Sequence, residues 1–383
     1  MRFEDALAAP GFGAIAEFKR RSPSAGDLRP EGDVAVVARQ YEAAGARAMS
    51  VLVDARFGGS WDDLRAARSA TTLPLLAKGF FSTPEHLREA RDAGADAVLL
   101  LLRDLDDAAC AALLAGAAKL GLDTLVEAHD EVELRRATTL DAPVIGLNAR
   151  DLATFGIDRA RQLELVARAP RDRVVIAESG VATTAQAAAA ELAGANAVLV
   201  GSTLMRAPDP GTALRELLRR PLVKICGLTE QDDVDAAVAA GADLLGFILA
   251  DSPRRAEGLL AAPDTVLRVA VFVGETEETE ADLVQHYPRD GAHRARDAAL
   301  LRRDGERVGT VVDLPWLEDD PAHLERARAT PGRVMLAGGL GPDNVGEAIA
   351  AVRPWAVDSA RSTERAPGRK DHAKLRAWVA AAR

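Results

Sequence analysis

The feature that most restricts this chain is a series of short, almost wholly apolar runs. Each stops at a charged residue, a hydroxyl or a glycine, and a helical stretch follows. In the first half they read AIAEFK, AMSVLV, LPLLAK, AVLLLL, DTLVEA, PVIGLN, VVIAES and AVLVGS. The segments between them, such as STPEHLREARDAG and TTAQAAAAELAGA, have the 3.6-residue period of amphipathic helices. Strands this apolar must be covered on both faces, which requires a parallel sheet inside a layer of helices. Eight such units in about 215 residues predict a (β/α)8 barrel. The doubly wound alternative lacks its fingerprint, since no G-x-G-x-x-G follows the first strand.

At 383 residues the chain has material for about two domains. A boundary falls near LRELLRRPLVKICG, dividing residues 1–220 from residues 221–383. The second set of strands reads LVKIC, LLGFIL, VAVFV, DLVQHY, VGTVVDL, RVMLAG and WAVDS. These seven runs occupy about 160 residues, below the ~200 usual for the barrel. The expected fold class is α/β: two tandem (β/α)8 barrels, the second shortened, with one βα unit missing or hidden.

In such barrels the chemistry sits at the C-terminal ends of the strands and in the loops beyond them. In the first half those ends carry Glu17 and Lys19, Lys78, Glu127, Asn148 with Arg150, Glu178 with Ser179 and Gly180, and Gly201 with Ser202. One charged strand end is ordinarily a solvated terminus. The set is different, because the opposite ends, near RAMS, TTLP and LDAP, carry no comparable group. Two lysines and three glutamates around one barrel mouth shift one another's proton affinities, which is how acid–base sites are made. Glycines after strands seven and eight occupy the usual phosphate position of this architecture, where backbone N–H groups can approach an anion.

The motifs IAEFKRRSPSAGDL, LVEAHDEVEL, IGLNARDLATF, IAESGV and VLVGSTLMRAPDPG closely resemble the indole-3-glycerol phosphate synthase family of tryptophan biosynthesis. The resemblance covers nearly all of residues 12–212. It implies decarboxylating ring closure of 1-(2-carboxyphenylamino)-1-deoxyribulose 5-phosphate. In that reaction Lys78 is the general acid and Lys19 lies near the substrate carboxylate and assists proton transfer. Glu127 takes the second acid–base role, and Glu17 and Glu178 orient the lysines and substrate hydroxyls. Asn148 and Arg150 contact the anthranilate part, while Ser22, Ser179, Gly180, Gly201 and Ser202 contact the phosphate and hydroxyls. Two departures stand out. Lys-Asp-Phe of the family is Lys78-Gly79-Phe80 here, and the helix expected over the barrel mouth is represented only by FEDALAAP.

In the second half, VKICGLTEQDDVDAAVAAGADLLGFILADSPRR and LAGGLGPDNVGEAI resemble phosphoribosylanthranilate isomerase, which catalyses the preceding step. The resemblance implies Cys226 as general base, Arg254 as a substrate contact and Gly338–Gly339 as a phosphate loop. The general acid should be an Asp on strand six followed by a glycine-rich loop. Asp313 is the candidate, on strand five or six, and no such loop follows it. The terminal motif Asp-Val-Ser-Ser-Gly-Val-Glu aligns with Asp358-Ser359-Ala360-Arg361-Ser362-Thr363-Glu364, where Arg361 can pair with an anion.

Two readings stay open: a bifunctional lyase and isomerase, or a synthase whose second barrel is structural. A non-catalytic sugar-phosphate-binding scaffold is a third, and Lys19, Lys78, Glu127 and Glu178 argue against it. The net charge of −10 disfavours nucleic acid as a partner but permits a small phosphorylated anthranilate–sugar substrate at a locally positive site. No apolar run is long enough for a membrane span, and the N-terminus has charges where a signal peptide needs an apolar core. Two cysteines, Cys110 and Cys226, fit a reducing cytoplasm. The histidines form no ligand-like pair, so neither metal nor cofactor is expected. Nothing in the sequence sets the oligomeric state, and a monomer is compatible with it.

Overall fold

The computed structural model describes residues 2–22, 26–151, 156–290, 293–314 and 320–383. Residues 23–25 and 152–155 of two of the quoted motifs, and residues 315–319 after Asp313, lie outside the described residues. The chain forms two compact units, Met1–Ala182 with Ala187–Leu218 and Thr183–Gln186 with Arg219–Arg383.

The first unit is a closed barrel of eight parallel strands: Gly13–Phe18, Ala48–Leu52, Leu75–Lys78, Ala97–Leu101, Asp123–Ala128, Val144–Asn148, Val174–Glu178 and Ala197–Val200. Helices Val34–Ala43, Trp61–Ala70, Pro84–Asp92, Asp107–Lys119, Glu131–Thr139 and Arg159–Arg168 follow the first six. Each begins at an Asp, Ser or Thr whose side chain accepts a backbone N–H of the first turn: Asp33, Ser60, Thr83, Asp106, Asp130 and Asp158. Such a cap contributes about 1 kcal/mol, so the chain reverses from strand to helix where the sequence dictates.

Period-two alternation splits each strand between two cores. Ala14, Ala16 and Phe18 pack outward beneath the helices, whereas Ile15, Leu76, Leu99, Leu125, Ile176 and Leu199 fill the interior. Two residues beyond those interior side chains, and therefore on the same face, come Glu17, Lys78, Glu127, Glu178 and Gly201. The apolar layer is thus the floor of the site.

The N-terminal helix corrects an expectation. Phe3–Ala8 inserts Phe3 and Leu7 into the interior cluster beside Ala48, Ala97 and Val144, which begin their strands. Glu4 N–H donates to Asp123 Oδ2 at 3.1 Å, and Asp123 begins strand five. The helix therefore plugs the N-terminal end of the barrel, opposite the mouth that FEDALAAP was expected to border. Its apolar pair decides the placement, because only the bottom offers a hydrophobic layer to bury it.

The second unit also closes with eight strands: Leu222–Cys226, Leu244–Ile248, Leu267–Val273, Leu283–Tyr287, Ala298–Arg302, Arg307–Val312, Val334–Leu336 and Ala356–Ser359. No strand is missing; the expected gap is corrected by Ala298–Arg302, which the sequence reading passed over. It runs antiparallel to both neighbours. Among the described residues no helix follows strands two to five, and Gln231–Ala240, His323–Ala329, Val345–Val352 and His372–Ala382 are the principal helices. Strands two, three and four stay parallel and are joined by the helix-free stretches 249–266 and 274–282, while strand five reverses direction against both neighbours, which is how a full barrel fits a short chain. Gly305, at φ +87°, turns the chain from Arg302 into strand six. Among the described residues no helix is long and apolar enough to cross a membrane.

Candidate active sites

At the first mouth, strand three delivers Lys78 into a ring of carboxylates. Its Nζ lies 2.6 Å from Glu178 Oε2, 3.6 Å from Glu17 Oε2 and 3.9 Å from Glu127 Oε2. Lys19 Nζ takes the other oxygen of Glu17 at 2.7 Å. Asn148 Nδ2 donates to Glu127 Oε1 at 3.1 Å, and its Oδ1 accepts the Arg150 N–H at 2.9 Å. Glu17, Lys19, Lys78, Glu127, Asn148 and Glu178, from five strands, thus form one cluster.

Their proton affinities follow from burial against pairing. Burial opposes the Lys78 ammonium, but Glu178, Glu17 and Glu127 outweigh it and hold the group charged, above its usual range. Burial pushes the Glu17 carboxyl up, yet Lys19 and Lys78 bring it below the usual value. Glu127 is likewise lowered, with His129, Lys78 and Asn148 overcoming desolvation. Glu178 goes the other way: burial and the neighbouring Glu127 raise it, because one ammonium is shared among three carboxylates. Its Oε1 is buried without a hydrogen-bond partner. A buried acceptor left unpaired in a native site invites a ligand donor.

Two glycines make room for this cluster. A Cβ on Gly201 would lie 2.3 Å from Glu17 Oε1, and one on Gly146 would lie 2.1 Å from Glu178 Oε1. Gly146→Ala is therefore expected to push Glu178 off Lys78 and lower turnover at this site about 10²-fold, as ångström-scale misplacement does. Steady-state kinetics beside a circular-dichroism melt check this; wild-type turnover in a folded variant would contradict it.

The remaining expected contacts border the cluster. Ser179 and Gly180 take successive left-handed conformations, φ +68° and +69°, in the turn after strand seven. Ser202 opens the short helix Ser202–Arg206 behind Gly201. Ser22 is buried in the small hairpin after strand one. The half-buried Arg150 guanidinium has its proton affinity lowered by desolvation and raised by Glu17.

Sequence reasoning missed three side chains here. His129 follows Glu127 by two residues and so shares its inward face, a signal that was available. Its Nδ1 hydrogen-bonds Glu133 Oε2 at 3.1 Å, and its Nε2 lies 3.1 Å from Glu127 Oε1 without hydrogen-bond geometry. Burial opposes its charge, but those carboxylates push its imidazolium up to about 10. Gln162 Nε2 donates to the carbonyls of Leu147 and Glu178, both at 2.6 Å, and the Tyr41 hydroxyl donates to the Glu17 carbonyl at 3.1 Å. These two clamp strand ends from outside the barrel, and nothing local in the sequence marks them.

In the second unit, Cys226 ends strand one, buried, its thiol pushed up by desolvation against the pull of Lys224. Lys224 Nζ donates to Asp358 Oδ2 at 3.0 Å and Gln285 Oε1 at 2.7 Å. Asp313 directly follows strand six, which settles its position, and its Oδ2 accepts the Tyr287 hydroxyl at 2.9 Å. Arg254 is held by Glu364 through Nε at 2.9 and 3.0 Å and Nη2 at 2.8 Å. Gly338 and Gly339 turn the chain after strand seven, with Gly338 against Leu314. Beyond strand eight, Ser359 and Ser362 hydrogen-bond one another across Arg361, which opens a 3-10 turn. Lys370, unnoticed in the sequence, donates to the carbonyls of Cys226 and Ala360 at 2.6 and 3.0 Å, tying the first and last strand ends together. Among the described residues no group of three or more His, Cys, Asp or Glu is arranged to hold a metal.

Residues 1–217 match the family described as indole-3-glycerol phosphate synthase, and residues 289–381 match that described as N-(5'-phosphoribosyl)anthranilate isomerase. Indole-3-glycerol phosphate synthase 2 of Streptomyces coelicolor is 48% identical over 217 residues, 56% of this chain and 84% of that protein. The Mycobacterium ulcerans synthase is 47% identical over 214 residues, 56% of this chain and 79% of that protein. A crystal structure of phosphoribosyl anthranilate isomerase from Thermus thermophilus is 30% identical, covering 42% of this chain and 97% of its own, with a TM-score of 0.34.

Proposed function

The chain belongs to the indole-3-glycerol phosphate synthase family, and on that premise we propose that its first barrel converts 1-(2-carboxyphenylamino)-1-deoxyribulose 5-phosphate to indole-3-glycerol phosphate, CO2 and water. The observation that carries this is Lys78, an ammonium buried among Glu178, Glu17 and Glu127. Ring closure makes an alkoxide from the ribulose carbonyl as the anthranilate ring carbon attacks it. Lys78, held charged by these carboxylates, supplies the proton to that oxygen. Decarboxylation then restores electrons to the ring. Dehydration needs an acid for the departing hydroxyl and a base for the remaining proton, a pair that Lys19 and Glu127 supply. The unpaired Glu178 Oε1 accepts a substrate hydroxyl, and Arg150 meets the anthranilate carboxylate. Ser22, Ser179, Gly180, Gly201 and Ser202 present hydroxyls and backbone N–H groups to the phosphate.

The second barrel performs the preceding Amadori isomerisation of N-(5-phosphoribosyl)anthranilate. Asp313 protonates the furanose oxygen and Cys226 removes the C2 proton. Gly338, Gly339 and Arg361 face the phosphate, and Asp358 and Arg254 complete the substrate site. We divide the two activities at residues 220 and 221. Both cysteines are unpaired and buried, in keeping with the cytoplasm, and each site's named residues come from one barrel, so a monomer suffices. Supplying the purified chain with the ribulose phosphate and measuring CO2 and indole-3-glycerol phosphate tests the first assignment. Failure to release either product would overturn it.

A further inference from the structure

Across the interior of the second barrel runs a buried chain of hydrogen bonds with a fixed direction. Lys224 has only donors, so the Gln285 oxygen it meets at 2.7 Å must be the acceptor Oε1. That leaves Gln285 Nε2 to donate to the Tyr287 hydroxyl oxygen at 2.7 Å. The single phenolic hydrogen then points to Asp313 Oδ2 at 2.9 Å. All four side chains are buried, Lys224 completely. The direction is therefore set by the end that cannot accept.

We infer that Tyr287 is a positioning residue of the isomerase barrel, its hydroxyl oriented by Gln285 and Lys224 to hold Asp313 and stabilise the carboxylate left after that group gives up its proton. The inference rests on the isomerase reading above. In the ring-opening step the C1–O4 bond of the furanose breaks and its electron pair goes to O4. O4 takes the Asp313 proton, while the anthranilate nitrogen lone pair forms the C=N bond. Negative charge thus develops on Asp313 as the barrier is crossed. A neutral hydrogen bond from Tyr287 becomes charge-assisted at that moment, and only interactions that strengthen in the transition state raise turnover.

Other groups face Asp313 from the surrounding elements. Asp297 Oδ1 accepts its backbone N–H, and Arg326 Nη2 donates to its carbonyl. Asp358 and His323 are close enough to interact electrostatically with it.

The test uses the full chain with Tyr287→Phe, following isomerase kcat and KM, with a circular-dichroism melt reporting that the second barrel stays folded. We expect kcat to fall about 10–100-fold, the range for a hydrogen bond to a charged group, with KM little changed. Gln285→Glu offers a second variant. Its carboxylate accepts from both Lys224 and Tyr287, reversing the Gln285–Tyr287 bond and drawing the phenolic hydrogen away from Asp313, and should reproduce the loss in kcat. Wild-type kcat in both variants, or a loss carried by KM rather than kcat, would overturn the inference and leave Tyr287 as packing. If instead Asp313→Asn retains full isomerase turnover, the acid assignment itself is wrong, and the role of Tyr287 falls with it.

Discussion

Replacing Lys78 with alanine is expected to lower indole-3-glycerol phosphate formation about 10³-fold, within the ~10²–10⁴ that one acid–base group supplies. The effect should fall on kcat, because the lost proton donor acts on charge that exists only in the transition state. The same change leaves Glu17, Glu127 and Glu178 buried with one ammonium fewer. Removing one partner of a buried ion pair costs about 3–5 kcal/mol, so the melting temperature of this barrel should drop as well. The pH dependence identifies the cause. In the wild type, pairing holds Glu17 and Glu127 below their unfolded values, so their contribution is present above the usual carboxylate range and fades as pH falls. Without Lys78, Glu178 loses its lowering partner and burial with the neighbouring Glu127 raises it further, while Lys19 still pairs Glu17 and His129 still faces Glu127. The variant should therefore gain stability as pH is lowered from 7 toward 5. Lys78→Arg should restore the stability without restoring turnover, since a guanidinium keeps the charge but is too weak an acid. Turnover near wild type in either variant would remove Lys78 from the mechanism.

Cys226→Ala should abolish isomerisation by a comparable factor, about 10²–10⁴, while synthase turnover stays unchanged. The base must be the thiolate, yet burial pushes the thiol above its usual range. The wild-type isomerase kcat/KM should consequently rise with pH through the neutral range, as the deprotonated fraction grows. Cys226→Ser should be nearly as inactive, because a serine hydroxyl does not ionise there. Isomerase turnover that survives both substitutions would assign the base elsewhere.

How much of this was legible in the sequence follows from the period of a strand. Once strand one reads AIAEFK, Ile15, Glu17 and Lys19 must share a face, and closing eight such strands brings Lys78, Glu127 and Glu178 to the same mouth. Residues that act through the closed barrel were not legible. Tyr287 and Asp313 lie far apart in the chain, and no local pattern pairs them. The same holds for Gln162 beneath Glu178. Strand Ala298–Arg302 was hidden differently: three of its five residues are only partly buried, and its reversal breaks the βα rhythm. Asp304-Gly305, a hairpin signal, stood beside it unread. The N-terminal helix was misplaced because the resemblance put a helix over the mouth, whereas Phe3 and Leu7 needed an apolar floor.

The central claim, two consecutive reactions divided between two barrels of one chain, is tested most directly by supplying N-(5-phosphoribosyl)anthranilate to the wild type, Lys78→Ala and Cys226→Ala proteins and following both products. The wild type should deliver indole-3-glycerol phosphate. Lys78→Ala should stop at 1-(2-carboxyphenylamino)-1-deoxyribulose 5-phosphate, and Cys226→Ala should leave the starting compound untouched yet convert added ribulose phosphate at the wild-type rate. A wild-type chain that consumes the ribulose phosphate but never the anthranilate riboside would contradict the account, leaving one working barrel and one structural one.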